Sequence, residues 1–158
     1  MSTYLGRIRR LASRGGLLVP GRNLVVFDDA IVRVRASVLD GWRESAAVMG
    51  GGLQSPARAG SRAGAQKNAV LNGLGPDDLV VRHDDNWMLW NREVVAVTLA
   101  DRSMPSDRRR ILTITTADRT FVLRFVRSVN PDDYMIPILE KALGDKLLVE
   151  PDVYRGRT

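Results

Sequence analysis

The chain has 158 residues, of which 44% are hydrophobic and 27% are charged, and its formal net charge is +6. This length and composition are typical of one globular domain with a core of its own, and they exclude a disordered or membrane-embedded protein. The absence of cysteine excludes disulfides, thiolate nucleophiles and zinc ribbons.

The start of the chain, MSTYLGRIRRLASRGG, is basic, but no long apolar run with a small-residue cleavage site follows it. A secretory signal would need both. No stretch reaches the roughly 20 apolar residues that a membrane-spanning helix requires. We therefore expect a cytoplasmic protein, which would reach a membrane as a peripheral component.

Arginine supplies almost all of the positive charge, and it is concentrated in two parts of the chain. Residues 1–22 contain no acidic residue and five arginines: Arg7, Arg9, Arg10, Arg14 and Arg22. A second arginine-rich region, residues 102–127, includes the run Arg108, Arg109 and Arg110. Such clusters point to an anionic partner. The arginine bias of a GC-rich genome is the alternative explanation, and it carries no functional meaning.

The segment YLGRIRRLASR has the spacing of an amphipathic helix. Its apolar and basic sides would be formed by Tyr4, Ile8, Leu11 and Ala12 and by Arg7, Arg10 and Arg14, respectively. A helix of this kind suits an anionic membrane or an acidic groove of a partner, and it suits equally a docking position on its own domain.

Two strands are predicted next, in NLVVFDDAIVRVRA, because β-branched residues flank the turn formers Asp28 and Asp29. Alternation along the second strand divides its residues between two faces. Val32, Val34 and Ala36 lie on one face, and Arg33 and Arg35 lie on the other.

Residues 39–75 show no strand pattern and are predicted to form a flexible or partly helical insert. The glycine-rich part, MGGGLQSPARAGSRAGAQKN, lacks the G-x-x-x-x-G-K-[ST] pattern of a phosphate-binding loop. The latter part, AGAQKNAVLNGLG, is predicted as a short helix that ends near Gly73 or Gly75.

Strand patterns resume in LVVRH, NWMLW, REVVAVTLAD, RRILTITTAD and TFVLRFVRS. The last three alternate and are separated by short turns, so we expect consecutive antiparallel hairpins. Phe121, Leu123 and Phe125 share a face and are the strongest core candidates. Trp87 and Trp90 are expected to pack on opposite faces of their strand.

The last helix is predicted to begin at NPDD, where Asn130 would cap it and Pro131 would take the first position. Pro137 falls inside this helix and is expected to kink or restart it. Gly144 is the predicted stop, and residues 149–158 are predicted to be a polar tail.

Candidate catalytic groups are few. His83, the only histidine, stands in RHDDN, but a catalytic metal or a serine triad needs further ligands or partners that this segment does not supply. Four Asp-Asp pairs occur, at 28/29, 77/78, 84/85 and 132/133, and each falls where a turn or a helix start is expected. We therefore predict a protein that is not an enzyme, with no catalytic residue, no metal and no cofactor.

The order of these parts resembles bacterial PH-like domains related to the pleckstrin-homology and GRAM families. The likeness covers residues 23 to about 148: a first hairpin, an insert, GPDDLVVRHDDNWMLWNREVVAVTLAD, two more alternating strands and PILEKALGDKL. It implies a mainly β, α+β fold, a bent antiparallel barrel with a C-terminal helix, and a binding role. Arg22, Arg33 and Arg35 resemble the basic phosphoinositide motif of these families, although a tight turn joins their strands where the families have a longer basic loop.

The predicted organisation is a basic segment at 1–22, one PH-like domain at 23–148 with the insert at 39–75, and a tail at 149–158. The predicted function is a non-catalytic cytoplasmic binding or scaffolding module that docks on a protein partner or an anionic membrane surface. Nucleic-acid binding through arginine–phosphate contacts is the alternative. The residues assigned to partner or phosphate binding are Arg7, Arg9, Arg10, Arg14, Arg22, Arg33, Arg35, Arg108, Arg109 and Arg110.

Overall fold

The computed structural model describes residues 1–12, 22–35, 73–102, 109–127 and 130–155. The strands are β1 (Tyr4–Ala12), β2 (Arg22–Phe27), β3 (Ala30–Arg35), β4 (Trp87–Trp90), β5 (Val94–Asp101), β6 (Arg109–Thr116), β7 (Thr120–Val126) and β8 (Leu147–Val149). The helices are α1 (Pro76–Val80), α2 (Asp132–Leu143) and α3 (Pro151–Arg155), and Gly144–Lys146 forms a 3-10 turn. The predicted mainly β, α+β class is confirmed.

The eight strands form one sheet in the order β4-β3-β2-β1-β7-β6-β5-β8. All the pairs of neighbours are antiparallel except β5 and β8, which are parallel. The hairpins β2–β3, β5–β6 and β6–β7 were all predicted and are confirmed. In the described part of the chain β4 and β8 remain the two edges, so the sheet does not close into the predicted barrel.

The helix predicted within YLGRIRRLASR is wrong, because residues 4–12 form strand β1 in the middle of the sheet. Ile8 pairs with Leu24 on β2, and Leu11 pairs with Phe125 on β7. The register shifts between Ile8 and Leu11, which is the mark of a bulge. Since a bulge turns the strand, both residues reach the core and are 0% and 7% exposed. Because Ile8 and Leu11 are three residues apart and both face the core, their spacing is the same as that on one face of a helix.

The strands β2 and β3 are buried on both faces. One face, with Leu24 and Ile31, joins the main core, whereas the other face, with Val25 and Val32, joins a second cluster. Helix α1 covers this second cluster and contributes Leu79, which is 0% exposed. The outer face of the first hairpin is thus covered by a helix from the segment between β3 and β4.

The strand predicted at LVVRH is wrong, because Leu79 and Val80 belong to α1. Pro76 stands at the start of this helix, and the Asp78 carboxylate accepts the Gly75 amide N–H at 2.9 Å. Proline at the first position and a reciprocal acidic side chain are helix-start signals that outweigh the short apolar run. The predicted insert at 39–75 and its short helix lie outside the described residues, except for residues 73–75.

Helix α2 packs against β1 through contacts that the sequence did not reveal. Asn130 does not cap it; instead its side-chain amide accepts the Arg9 N–H at 2.6 Å and donates to the Arg9 carbonyl at 2.9 Å. The helix continues through Pro137 without the predicted restart. It ends at Gly144, as predicted, where φ is 57°.

Gly6 lets α2 approach β1 closely. A Cβ atom at Gly6 would overlap Ile138 Cδ1 and would lie 3.1 Å from the Tyr134 hydroxyl, whose oxygen accepts the Arg7 N–H. We expect Gly6→Ala to lower the free energy of unfolding by about 1–3 kcal/mol, because overpacking forces the helix or the side chain to move. Urea unfolding followed by tryptophan fluorescence measures this loss.

The Ile138→Ala background is the control for this prediction. Since the overlapping Cδ1 atom is then absent, Gly6→Ala should cost less in that background than in the natural sequence. An equal cost in both backgrounds would contradict the contact.

The polar tail predicted from residue 149 does not hold for residues 149–155. β8 lies beside β5, with Leu148 opposite Thr98, and α3 follows it. Val153 on α3 is 0% exposed and belongs to the main core. One buried valine in a charged segment is too weak a signal to read from the sequence.

Candidate functional site

The two ends of the part of the sheet formed by β2, β3 and β4 differ in the side chains that they carry. At one end, the Asn91 side-chain amide donates to the Asp28 carbonyl at 3.0 Å and to the Ala142 carbonyl at 2.8 Å, which ties two turns to α2. At the other end, which we call the arginine end, β2 begins at Arg22, β3 ends at Arg35 and β4 begins at Trp87.

Three of the predicted arginines meet at the arginine end. Arg22 and Arg35 are directly opposite each other on β2 and β3, and Arg33 is paired with Trp87 on β4. Alternation places Arg22, Arg33 and Arg35 on the same face of the sheet, the one that leads to the main core. We call these three residues the arginine cluster. The tight turn at Asp28 and Asp29 sets this register.

The cluster carries more positive charge than its described surroundings neutralise. Asp85 lies 3.6 Å from Arg22 Nη2, and its main-chain carbonyl accepts Arg33 Nη2 at 3.4 Å. Arg35 Nη1 lies 2.8 Å from His83 Nε2. Burial lowers the pKa of Arg33, and the charge of Arg22 lowers it further. Arg33 Nε is buried and has no hydrogen-bond partner among the described residues.

Like charges directly opposite each other in a sheet are destabilising, and a buried donor without an acceptor also costs free energy. Both costs fall when an anion supplies oxygen atoms to the guanidinium groups. The arginine cluster is therefore suited to binding a carboxylate or a phosphate group.

Aromatic side chains adjoin the cluster. The guanidinium carbon of Arg33 lies 5.5 Å from the Trp87 ring centroid, and the Trp87 and Phe121 rings are 4.8 Å apart. The rings thus connect β4 to β7. Trp87 packs against the main core and Trp90 against the second cluster, so their predicted opposite orientation is confirmed.

A groove of about 520 Å³ lies between β4 and the β6–β7 turn. Its apolar lining includes Trp87, Met88 and Leu89 on one side and Ala117 and Phe121 on the other. We call this feature the groove. Sequence reasoning did not predict it, because it depends on a contact between strands that are distant in the chain.

The other predicted site residues do not join the cluster. Arg7 and Arg9 lie on β1, where Arg7 is 9% exposed and Arg9 is exposed, and Arg109 is partly buried at the start of β6. The Arg10 side chain, Arg14 and Arg108 lie outside the described residues.

Arg110 is not a surface contact, so its assignment to partner binding is wrong. It is 0% exposed and forms ion pairs with Asp101 and Asp132. Its Nε donates to Asp132 Oδ1 at 3.1 Å, and its Nη2 donates to Asp132 Oδ2 at 2.9 Å and to the Val153 carbonyl at 3.3 Å. Arg127 Nε also lies 3.2 Å from Asp132 Oδ2. We call these four charged residues the buried ion network.

The buried ion network holds α2 and α3 against the sheet. Burial acts to lower the pKa of Arg110, but hydrogen bonds to Asp132 and Asp101 outweigh it and raise this pKa. From the sequence, Asp132 is predicted only as an acidic residue at the start of a helix. Its pairing with Arg110 on β6 depends on how the helix packs against the sheet.

The Asp-Asp pairs lie where turn chemistry predicted them, and His83 precedes one of the pairs. The pair at 28/29 forms the β2–β3 turn, the pairs at 77/78 and 132/133 open helices, and 84/85 follow His83 in a turn. His83 Nδ1 accepts the Asp85 N–H at 3.1 Å. In the described ranges, no group of three or more histidine, aspartate or glutamate side chains is arranged to hold a metal ion.

No helix among the described residues is both long enough and apolar enough to cross a membrane. No family model, curated protein or solved structure matches the chain. The assignment of function therefore depends on the geometry and charge of the site itself.

Proposed function

We propose that the chain is a non-catalytic binding module of the PH-like type, which docks on a partner protein through an anionic group held by the arginine cluster. The observation that carries this proposal is the position of Arg22 opposite Arg35, with Arg33 beside them and Asp85 as the paired carboxylate. An anionic side chain of a partner would relieve the repulsion within the cluster.

The topology supports the PH-like part of the proposal. Two antiparallel halves, β1–β4 and β5–β7, are joined by the pairing of β1 with β7, and α2 packs against β1. The resemblance noted in the sequence implies antiparallel strands followed by a C-terminal helix, and β1 lies outside the residues that carry it. The arginine end, where the three guanidinium groups meet, is then the natural place for an anionic ligand.

A protein partner fits the cluster better than a flat anionic surface does. The Arg22 side chain is 27% exposed, and Arg33 and Arg35 are partly buried, so the guanidinium groups are recessed. An exposed acid, Asp85, lies beside them. Membranes and nucleic-acid backbones are bound best by protruding basic surfaces, whereas a recessed cluster suits one inserted carboxylate or phosphate.

The test compares three anionic probes on the full chain at low and physiological salt. These are a fluorescein-labelled oligoglutamate peptide, vesicles of anionic against neutral phospholipid, and a single-stranded DNA oligomer. We expect the peptide to bind, and the double variant Arg33→Gln, Arg35→Gln to weaken its binding by at least about tenfold, since hydrogen bonds to charged groups are lost.

The matched control is the double variant Arg82→Gln, Arg92→Gln, which removes the same charge from two exposed arginines outside the cluster. It should change peptide binding by no more than about twofold. Binding to anionic vesicles or DNA without binding to the peptide would overturn the choice of partner. Equal losses in the two double variants would overturn the role of the cluster.

A further inference from the structure

The groove is bordered by main-chain groups of the β4 edge as well as by apolar walls. Asn91 donates its N–H to the Asp29 carbonyl at 2.8 Å, which makes this pair a hydrogen-bonded one in the β3–β4 ladder. Trp90 instead donates its N–H to Glu93 Oε2 at 3.0 Å and accepts the Glu93 N–H at 2.9 Å, so its polar groups point away from β3.

Hydrogen-bonded and non-hydrogen-bonded pairs alternate along an antiparallel ladder. Met88, two residues before Trp90, therefore also directs its N–H and C=O away from β3. Since β4 is an edge of the described sheet and Met88 lines the groove, these two groups are directed toward the groove. An exposed edge of this kind is a template for an additional strand.

The charged residues that line the groove are already engaged with their neighbours. Asp118 accepts the Thr116 hydroxyl at 3.0 Å and the Arg119 Nε at 3.2 Å, and the hydrogen bond from Thr116 lowers the Asp118 pKa. Glu93 accepts the Trp90 N–H. The apolar walls and the Met88 main chain are thus what the groove presents to a ligand, and 520 Å³ lies in the range of specific ligand sites.

We infer that the groove binds an extended segment of the partner protein, which adds as a strand to Met88 on β4. The segment places an apolar side chain against Trp87 and Phe121 and an acidic side chain at the arginine cluster. This inference rests on the proposed function, because the same segment supplies the anionic group.

The two side chains of the partner contact neighbouring parts of the site. The Trp87 ring lies 5.5 Å from the guanidinium carbon of Arg33 and 4.8 Å from the Phe121 ring. Side chains on one face of a strand recur every second residue. The acidic and apolar residues of the partner should therefore lie on the same face of the added strand, an even number of positions apart.

The experiment begins with selection of a random peptide library displayed on phage against the full chain. We expect the enriched peptides to share an acidic residue and an aliphatic or aromatic one that are an even number of positions apart. An enriched peptide is then synthesised with fluorescein, and its dissociation constant is measured by anisotropy.

The blocking variant is Ala117→Trp, which fills the groove from an exposed position in the β6–β7 turn. The matched control is Ala96→Trp, an exposed alanine on β5 that does not line the groove. Ala117→Trp should weaken binding at least about tenfold, whereas the control should bind as the natural chain does. Thermal unfolding checks that both variants are folded.

A second measurement is independent of protein variants. Main-chain N-methylation of the bound peptide, one residue at a time, should abolish binding at the residue whose N–H bonds the Met88 carbonyl and be tolerated at the residues beside it, because strand hydrogen bonds alternate. Uniform tolerance along the peptide would overturn strand addition.

The outcomes separate the inference from the proposed function. If peptide binding is lost in the double variant Arg33→Gln, Arg35→Gln but not in Ala117→Trp, the inference that the groove binds the segment is overturned. The proposed function as a binding module is then retained. Peptides unaffected by either change, or no enrichment at all, would overturn both.

Discussion

Asp132→Ala is expected to lower the free energy of unfolding by roughly 3–5 kcal/mol, because it removes one of the two carboxylates that pair with the buried Arg110 guanidinium and the one that accepts two of its hydrogen bonds. Asp132 is 4% exposed and pairs with both Arg110 and Arg127. Arg110 is itself 0% exposed, so water cannot replace the lost oxygen atoms. Urea unfolding at neutral pH, followed by tryptophan fluorescence, measures the loss.

Asp133→Ala is the matched control, since it removes the same charge from the adjacent residue of the same helical turn. Asp133 is exposed, so its loss should cost at most about 1 kcal/mol through the helix dipole. A similar cost for the two substitutions would show that the buried ion network does not hold α2 to the sheet.

A chain that ends at Glu150 should also be destabilised, by roughly 2–5 kcal/mol. It lacks Val153, whose burial is worth about 1.5–3 kcal/mol, and it removes a carbonyl that accepts a hydrogen bond from the buried Arg110. Thermal and urea unfolding of the shortened chain measure the effect.

A chain that ends at Arg155 provides the comparison, because it keeps all of α3. It should unfold as the 158-residue chain does. If the chain that ends at Glu150 were equally stable, the segment would be the polar tail that its composition suggests.

The sequence predicted those strands whose side chains alternate simply. On β7, Phe121, Leu123 and Phe125 recur every second residue, and Leu123 and Phe125 are 7% and 0% exposed, with Phe121 packed against them. In β1 the bulge between Ile8 and Leu11 breaks this period. Period-based reasoning fails there because the bulged strand presents residues three apart to one core.

The candidate site was only partly predictable. Alternation on β3 placed Arg33 and Arg35 together, and the Asp28-Asp29 turn fixes Arg22 opposite Arg35. The groove could not be predicted, since it requires β4 to lie beside a turn that is distant in the sequence. The burial of Arg110 could not be predicted either, because a run of arginines is usually exposed. The carboxylates that pair with Arg110 belong to other elements, β5 and α2.

The pairing of β1 with β7 also bears on the order in which the parts of the molecule assemble. Leu11 pairs with Phe125, which is far from it in the sequence. In contrast, β2–β3, β5–β6 and β6–β7 are hairpins between strands that are consecutive in the sequence. Local hairpins close quickly, but a distant contact must first overcome the entropy of a long loop. The arginine cluster should therefore form early, with the first hairpin, and the pairing of β1 with β7 should be the last and slowest step of folding.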